Sequence, residues 1–113
     1  MAASTTVALE VDKMRAAAEE ATGLLRALAN SDRLLLLCHL SQGERCVSEL
    51  EEELAIQQPT LSQQLTVLRT QELVSTRRDG KRIYYSVSDP KALAVLETLY
   101  RLFCAPKGKR RAN

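Results

Sequence analysis

The chain has 113 residues, of which 45% are hydrophobic and 27% charged, as expected of one globular domain. Its longest purely apolar run, residues 34–38, is far shorter than the roughly 20 residues of a membrane-spanning helix, and residues 1–6 do not resemble a signal peptide. These features exclude a multidomain enzyme and a membrane protein, and we expect the chain to lie in the cytoplasm.

The net charge of +2 conceals an uneven distribution of charge. Residues 1–56 carry five Lys or Arg against ten Asp or Glu, whereas residues 57–113 carry eleven against four. A basic half predicts an anionic partner such as nucleic acid, although a uniformly solvated surface can show the same balance. Aromatic residues make up only 4% of the chain, which argues against a stacking platform for single-stranded nucleic acid.

Two helices are predicted in the first 43 residues. Apolar residues recur every three or four positions across residues 10–30, which indicates an amphipathic helix. The small polar residues at 1–8 predict a frayed, disordered N-terminus. A second helix is expected to begin at its N-cap, Ser31, and to end at Gly43.

Two shorter helices follow. Residues 46–54 predict a third helix, in which Ser48 and Glu51 have the spacing of a capping box. A fourth helix is expected over residues 59–71, because Pro59 suits a first turn, where its missing N–H has no partner to lose. Leucines at regular spacing predict the buried face of this helix.

The pattern then changes to that of a β-hairpin. Residues 73–78 and 81–87 are rich in Val, Ile, Thr and Tyr, and Asp79-Gly80 between them is a strong turn signal. Asp89-Pro90 begins a last helix, which carries apolar residues on one face: Leu93, Leu96, Leu99, Tyr100 and Phe103. The fold class is therefore mainly α with a β-hairpin, in the order of four helices, a hairpin and a fifth helix. This order describes a winged helix-turn-helix over residues 9–105, followed by a basic, flexible tail at 106–113.

The fourth helix carries neutral polar side chains that suit the major groove of DNA. Gln can pair with adenine through both ends of its amide, and Ser and Thr can bond to bases or phosphates. Taken alone, the same pattern also fits an ordinary solvated helix face. The candidate DNA contacts in this segment are Gln58, Thr60, Ser62, Gln63, Gln64 and Arg69.

The hairpin adds a cluster of positive charge. Four cations surround the turn, and the single acid among them, Asp79, belongs to the turn signal. Such a tip can bind phosphates or place an Arg in the minor groove, whereas a hairpin charged only for solubility would more often mix both signs. The candidate contacts are Arg77, Arg78, Lys81 and Arg82.

Four segments resemble ArsR-type winged-helix repressors: LRALANSDRL at residues 25–34, VSEL at 47–50, QPTLSQQL at 58–65 and GKRIYY at 80–85. The similarity extends over about residues 10–105. It implies a homodimer formed through the first and last helices, which binds double-stranded operator DNA and leaves it when a signal arrives. An enzyme is not expected, because no nucleophile–base arrangement or phosphate-binding loop is present, and a protein-interaction module without DNA affinity is the other alternative.

Many members of this family sense metals, but the ligands match poorly here. The position of the family's Cys-x-Cys element holds Cys46-Val47-Ser48, and the last helix has no His, since the chain's single His is His39. Soft metals need several thiolate or imidazole ligands. We therefore expect no metal and no cofactor, with a metal- or haem-responsive repressor as the alternative.

Two other thiols resemble those of the family's thiol-based subgroup, which responds to reactive sulfur species and oxidants. Cys38 lies in the second predicted helix and Cys104 at the end of the last, as in that subgroup. The resemblance implies that the two thiols sense the inducer and become linked through a disulfide or a longer sulfur bridge. The alternative is that Cys38 is a small core residue and Cys104 an incidental helix-end thiol.

Overall fold

A computed structural model describes residues 2–104, and the side chains of residues 8–104. In this part of the chain five helices and three strands follow one another as α1 (Ala2–Leu28), α2 (Ser31–Leu40), β1 (Arg45–Cys46), α3 (Val47–Leu54), α4 (Thr60–Thr70), β2 (Val74–Asp79), β3 (Arg82–Val87) and α5 (Pro90–Phe103). The predicted winged helix-turn-helix is confirmed. The predicted basic tail at residues 106–113 lies outside the described residues.

Helix α1 is longer than predicted. Its backbone is helical from Ala2, so the helix begins earlier than the expected start at Glu10 and runs through residues 2–8, which were expected to be disordered. The segment is rich in Ala and has no Pro or Gly before Gly23 to interrupt a helix. All side chains from residue 8 to residue 22 are exposed, so this half of the helix extends away from the core. No helix within residues 2–104 is both long and apolar enough to cross a membrane.

The N-caps of α2 and α3 each lie earlier than predicted. Asn30, not Ser31, caps α2, because its side-chain oxygen accepts a hydrogen bond from the backbone N–H of Arg33 at 3.0 Å. At α3 the carboxylate of Glu49 accepts a bond from the N–H of Cys46 at 2.9 Å, so the predicted Ser48–Glu51 box is displaced by two residues. Helix α2 ends at Leu40 and not at Gly43 as predicted, because residues 41–43 form a non-helical turn.

The core lies where α2, α3, α4 and α5 meet. Six leucines in it are almost completely buried, and they come from all four helices: Leu36, Leu37, Leu50, Leu61, Leu68 and Leu96. Residues 61, 65 and 68 form one side of α4, as predicted. Burial of this side leaves the opposite, polar side of α4 facing solvent.

The hairpin is part of a three-stranded sheet with strand order β1-β3-β2. Strand β1, which was not predicted, pairs Arg45 with Tyr85 and Cys46 with Tyr84. Asp79 pairs with Arg82, so the two-residue turn is Gly80-Lys81 and not Asp79-Gly80. Gly80 has a φ of 65°, a conformation that glycine adopts without the cost borne by other residues.

Replacing the cap of α2 is expected to destabilise the fold. Asn30→Ala removes the acceptor for the N–H of Arg33, and we expect it to lower the free energy of unfolding by about 1 kcal/mol. Ser31→Ala is the matched control, expected to change that free energy by less than about 0.5 kcal/mol. Urea unfolding followed by circular dichroism measures both, and a larger loss for Ser31→Ala would contradict the assignment of the cap.

Candidate nucleic-acid interface

The exposed side of α4 presents polar groups at its N-terminal end. Ser62 and Gln63 are exposed, and Thr60 is half-buried. Gln58 precedes the helix, and its side-chain oxygen accepts a hydrogen bond from the N–H of Ser62 at 3.0 Å. Gln58 therefore satisfies one of the N–H groups in the first turn of α4 that have no helical partner. Its amide nitrogen remains available as a hydrogen-bond donor.

The two central glutamines differ in their surroundings. Gln64 is half-buried, and its Oε1 accepts a hydrogen bond from Nη1 of Arg33 at 3.0 Å. Gln63 is exposed and makes no side-chain hydrogen bond within residues 8–104. Only Gln63 therefore keeps both ends of its amide free for a base edge.

Arg69 extends the polar side of α4 toward its C-terminal end. The exposed residues Thr66, Arg69 and Thr70 line a shallow depression of about 300 Å³. The hydroxyl of Thr66 donates to the carbonyl oxygen of Ser62 at 2.9 Å. Arg69 thus lies on the same exposed surface as the predicted base-contacting residues, at a position suited to a phosphate.

The hairpin divides its cations between its two faces. In the pairing of β2 with β3, Arg77 lies opposite Tyr84 and Arg78 opposite Ile83. Because side chains alternate along a strand, Arg77 shares a face with Tyr84 and Arg82, and Arg78 lies on the other face. Lys81 is in the turn itself. The positive charge therefore surrounds the tip instead of forming a row on one side.

Arg77 is held against the protein by an acid that the sequence analysis did not identify. Its guanidinium donates to the carboxylate of Glu44, in the loop before β1, and lies 4.8 Å from the centroid of the Tyr84 ring. The hydrogen bond from Arg77 lowers the pKa of Glu44, and the hydrogen bond to Glu44 raises the pKa of Arg77. Glu44 therefore stays charged as the pH falls into its ordinary range and offsets one charge of the hairpin.

The other hairpin cations are less restrained. The pKa of Arg82 is raised mainly by a hydrogen bond with Tyr84, and secondly by the electrostatic interaction with Tyr84. Arg78 and Lys81 are exposed, and within residues 8–104 neither forms an ion pair with an acidic side chain. These two side chains are thus the best placed of the four to bind phosphate.

The two candidate sensing thiols lie on α2 and at the end of α5, two helices that contact each other. Cys38 is half-buried on α2, against the core, and Cys104 is exposed at the C-cap of α5. Burial raises the pKa of the Cys38 thiol, and the charge of Cys104 raises it further.

The third thiol and the histidine have other neighbours. Cys46 is buried, and its Sγ lies 3.3 Å from the hydroxyl of Ser48. Nε2 of His39 is hydrogen-bonded to Glu53, which also accepts from Nε of Arg45 at 3.1 Å. Hydrogen bonds lower the pKa of Glu53, and the bond with His39 lowers it more than the bond with Arg45 does. Residues 8–104 contain no group of three His, Cys, Asp or Glu arranged to hold a metal ion.

Comparison with known proteins identifies the family. Residues 30–76 match the arsR family of bacterial regulatory proteins. The biofilm growth-associated repressor of Agrobacterium fabrum strain C58 is 51% identical over 94 residues, which cover 83% of this chain and 80% of that protein.

Solved structures agree in fold. The transcriptional repressor BigR from Xylella fastidiosa aligns with a TM-score of 0.78 at 45% identity, covering 84% of this chain and 97% of that one. The reduced form of HlyU from Vibrio cholerae N16961 aligns with a TM-score of 0.79 at 39% identity, covering 81% and 97%. The exposed polar helix, the basic hairpin and these similarities lead to one conclusion: the chain belongs to the arsR family of bacterial regulatory proteins and is a winged-helix, DNA-binding transcriptional regulator, not an enzyme.

Proposed function

We propose that the protein is a homodimeric, cytoplasmic repressor that binds operator DNA and is released when Cys38 and Cys104 become linked. Helix α4 enters the major groove, where Gln63 reads base edges, and Arg69, Arg78 and Lys81 bind phosphates. Two similar proteins, the biofilm growth-associated repressor of Agrobacterium fabrum and the transcriptional repressor BigR, support repression.

Exposed apolar side chains on α1 and α5 support the dimer. Met14 and Leu25 of α1 are 69% and 57% exposed, and Tyr100 and Phe103 of α5 are 46% and 76% exposed. A lone chain would leave this apolar surface in water, and burying it against a second copy is favourable. The predicted apolar face of α5 is thus only partly buried within one chain.

The observation that carries the proposed switch is the contact between α2, which carries Cys38, and α5, which ends at Cys104. Cys104 is exposed, so it meets a dissolved reagent first. Cys38 is half-buried, and its raised pKa keeps it protonated at neutral pH, so it reacts second. A disulfide that forms in a reducing compartment is typically transient and redox-sensing rather than structural.

The chemistry requires a reagent that carries sulfane sulfur, such as a hydropersulfide RSSH. The thiolate of Cys104 attacks the outer sulfur and releases RS⁻, which leaves a persulfide on Cys104. The thiolate of Cys38 then attacks the inner sulfur of that persulfide and expels HS⁻, which forms the disulfide. In sum, two thiols and RSSH give one disulfide, RSH and H₂S, and additional equivalents of RSSH can lengthen the bridge.

Intact mass spectrometry of the full chain tests this chemistry. After treatment with a hydropersulfide, we expect a disulfide or a bridge with whole added sulfur atoms, and peptide mapping without reductant is expected to join the peptides of Cys38 and Cys104. Cys46→Ser is the matched control and should give the same link. Linkage through Cys46, or persulfides that stay on separate thiols, would disprove the two-thiol switch.

A further inference from the structure

The guanidinium of Arg33 connects the end of α1 to α4. Its Nε donates to the carbonyl oxygen of Ala27 at 2.7 Å, and its Nη2 to that of Arg26 at 3.1 Å. Its Nη1 donates to Oε1 of Gln64 at 3.0 Å. Among the side chains of residues 8–104, Arg33 alone makes hydrogen bonds to both α1 and α4.

The chemistry of the three contacts suits an arginine. The carbonyl groups in the last turn of a helix lack helical partners, and the helix dipole makes that end negative, so a cation is favoured there. The planar guanidinium offers several N–H groups in fixed directions, which lets one side chain hold three acceptors. The backbone N–H of Arg33 is itself held by Asn30, so both the main chain and the side chain of this residue are restrained.

This contact changes the role expected of Gln64. A glutamine that reads adenine accepts from N6 with its oxygen and donates to N7 with its nitrogen. The oxygen of Gln64 already accepts from Arg33, and the side chain is half-buried. Its neighbour Gln63 has neither restraint. The arrangement favours Gln63 for base contact and Gln64 for holding α4 in place.

We propose that Arg33 and Gln64 form a positioning link that sets the angle of α4 relative to α1, and hence the half-site spacing that the dimer accepts. The inference rests on the proposed function, in which α1 contributes to the dimer and α4 enters the groove. Two α4 helices fit successive major grooves only when they lie about 34–36 Å apart. Because α1 is fixed by the second copy, a change in its angle to α4 alters that distance.

A spacing series tests the link. A duplex is first selected from a random library by the wild-type protein, and copies are then made with one or two base pairs inserted or deleted between the half-sites. Wild type is expected to prefer the selected spacing. Arg33→Lys, which loses the planar fork, and Gln64→Met, which keeps the volume but removes the acceptor, are expected to reduce this preference by about 3–10-fold. The double variant should show no further reduction, because both changes break one link.

Gln63→Ala is the matched control, since it should alter preference for a base pair and leave the spacing preference intact. Gln64→Met retains the α1 contacts of Arg33, so it tests the link even where Arg33→Lys is poorly folded by circular dichroism. A wild-type spacing preference in Gln64→Met, or a change in Gln64→Met confined to one base pair, would overturn the positioning link. Failure of the wild-type protein to select any duplex would instead disprove the proposed function.

Discussion

Treatment with a hydropersulfide is expected to lower the affinity of the reduced wild-type protein for its selected duplex by about 5–150-fold, the usual range for coupling between two sites. Cys38→Ser and Cys104→Ser are expected to lose no affinity, because neither can form the link. The link would join α2, which packs against α4, to α5, which carries part of the exposed apolar surface. Fluorescence anisotropy with a labelled duplex measures the affinity before and after treatment.

Two controls define this result. Cys46→Ser should respond like wild type, and a dithiol reductant should restore binding. The linking step should also become faster as the pH rises above neutral, because the raised pKa of Cys38 leaves little thiolate at neutral pH. An equal loss of affinity in wild type and in Cys38→Ser would reject the switch.

The second large effect concerns the salt dependence of DNA binding. Arg78→Ala combined with Lys81→Ala removes four cations from a dimer, and we expect the slope of log affinity against log salt to become shallower by between about 3 and 4. Arg77→Ala should change the slope less than Arg78→Ala or Lys81→Ala alone, because Glu44 already offsets the charge of Arg77. Anisotropy titrations over about 50–200 mM salt measure the slopes.

Glu44→Gln is the informative partner of these variants. Releasing Arg77 from its ion pair should make the slope steeper and binding to any duplex tighter. In an Arg77→Ala background, Glu44→Gln should produce neither the steeper slope nor the tighter binding. An unchanged slope in the Arg78 and Lys81 variant would remove the hairpin tip from the DNA interface.

Local patterns predicted most of the fold. The amphipathic spacing predicted both ends of α4 to within one residue. Asp89-Pro90 predicted the start of α5, where the side chain of Asp89 accepts a hydrogen bond from the N–H of Ala92 at 3.0 Å. These features depend on residues that are near each other in the sequence. The change from helical spacing to alternating β-branched residues likewise predicted the hairpin, because a strand's two faces appear in its own pattern.

The features that the sequence did not predict depend on contacts between distant residues. Strand β1 is only two residues long and exists because β3 pairs with it. Glu44 and Arg77 are 33 residues apart, and Arg33 and Gln64 are 31 apart. Nothing in a local pattern distinguishes Gln63 from Gln64. The choice between Asn30 and Ser31 as cap likewise depends on backbone geometry, since both are good capping residues.

Arg33 holds α1 through main-chain carbonyl oxygens, so the identity of the side chains at positions 26 and 27 does not enter those bonds. The apolar surface of α1 can therefore be redesigned without altering the contacts by which Arg33 connects α1 to α4. Two versions of the chain with complementary α1 surfaces would then combine as a mixed pair, each half recognising its own half-site. In the proposed dimer, these two backbone contacts make the choice of partner and the choice of DNA sequence separable properties of the same small domain.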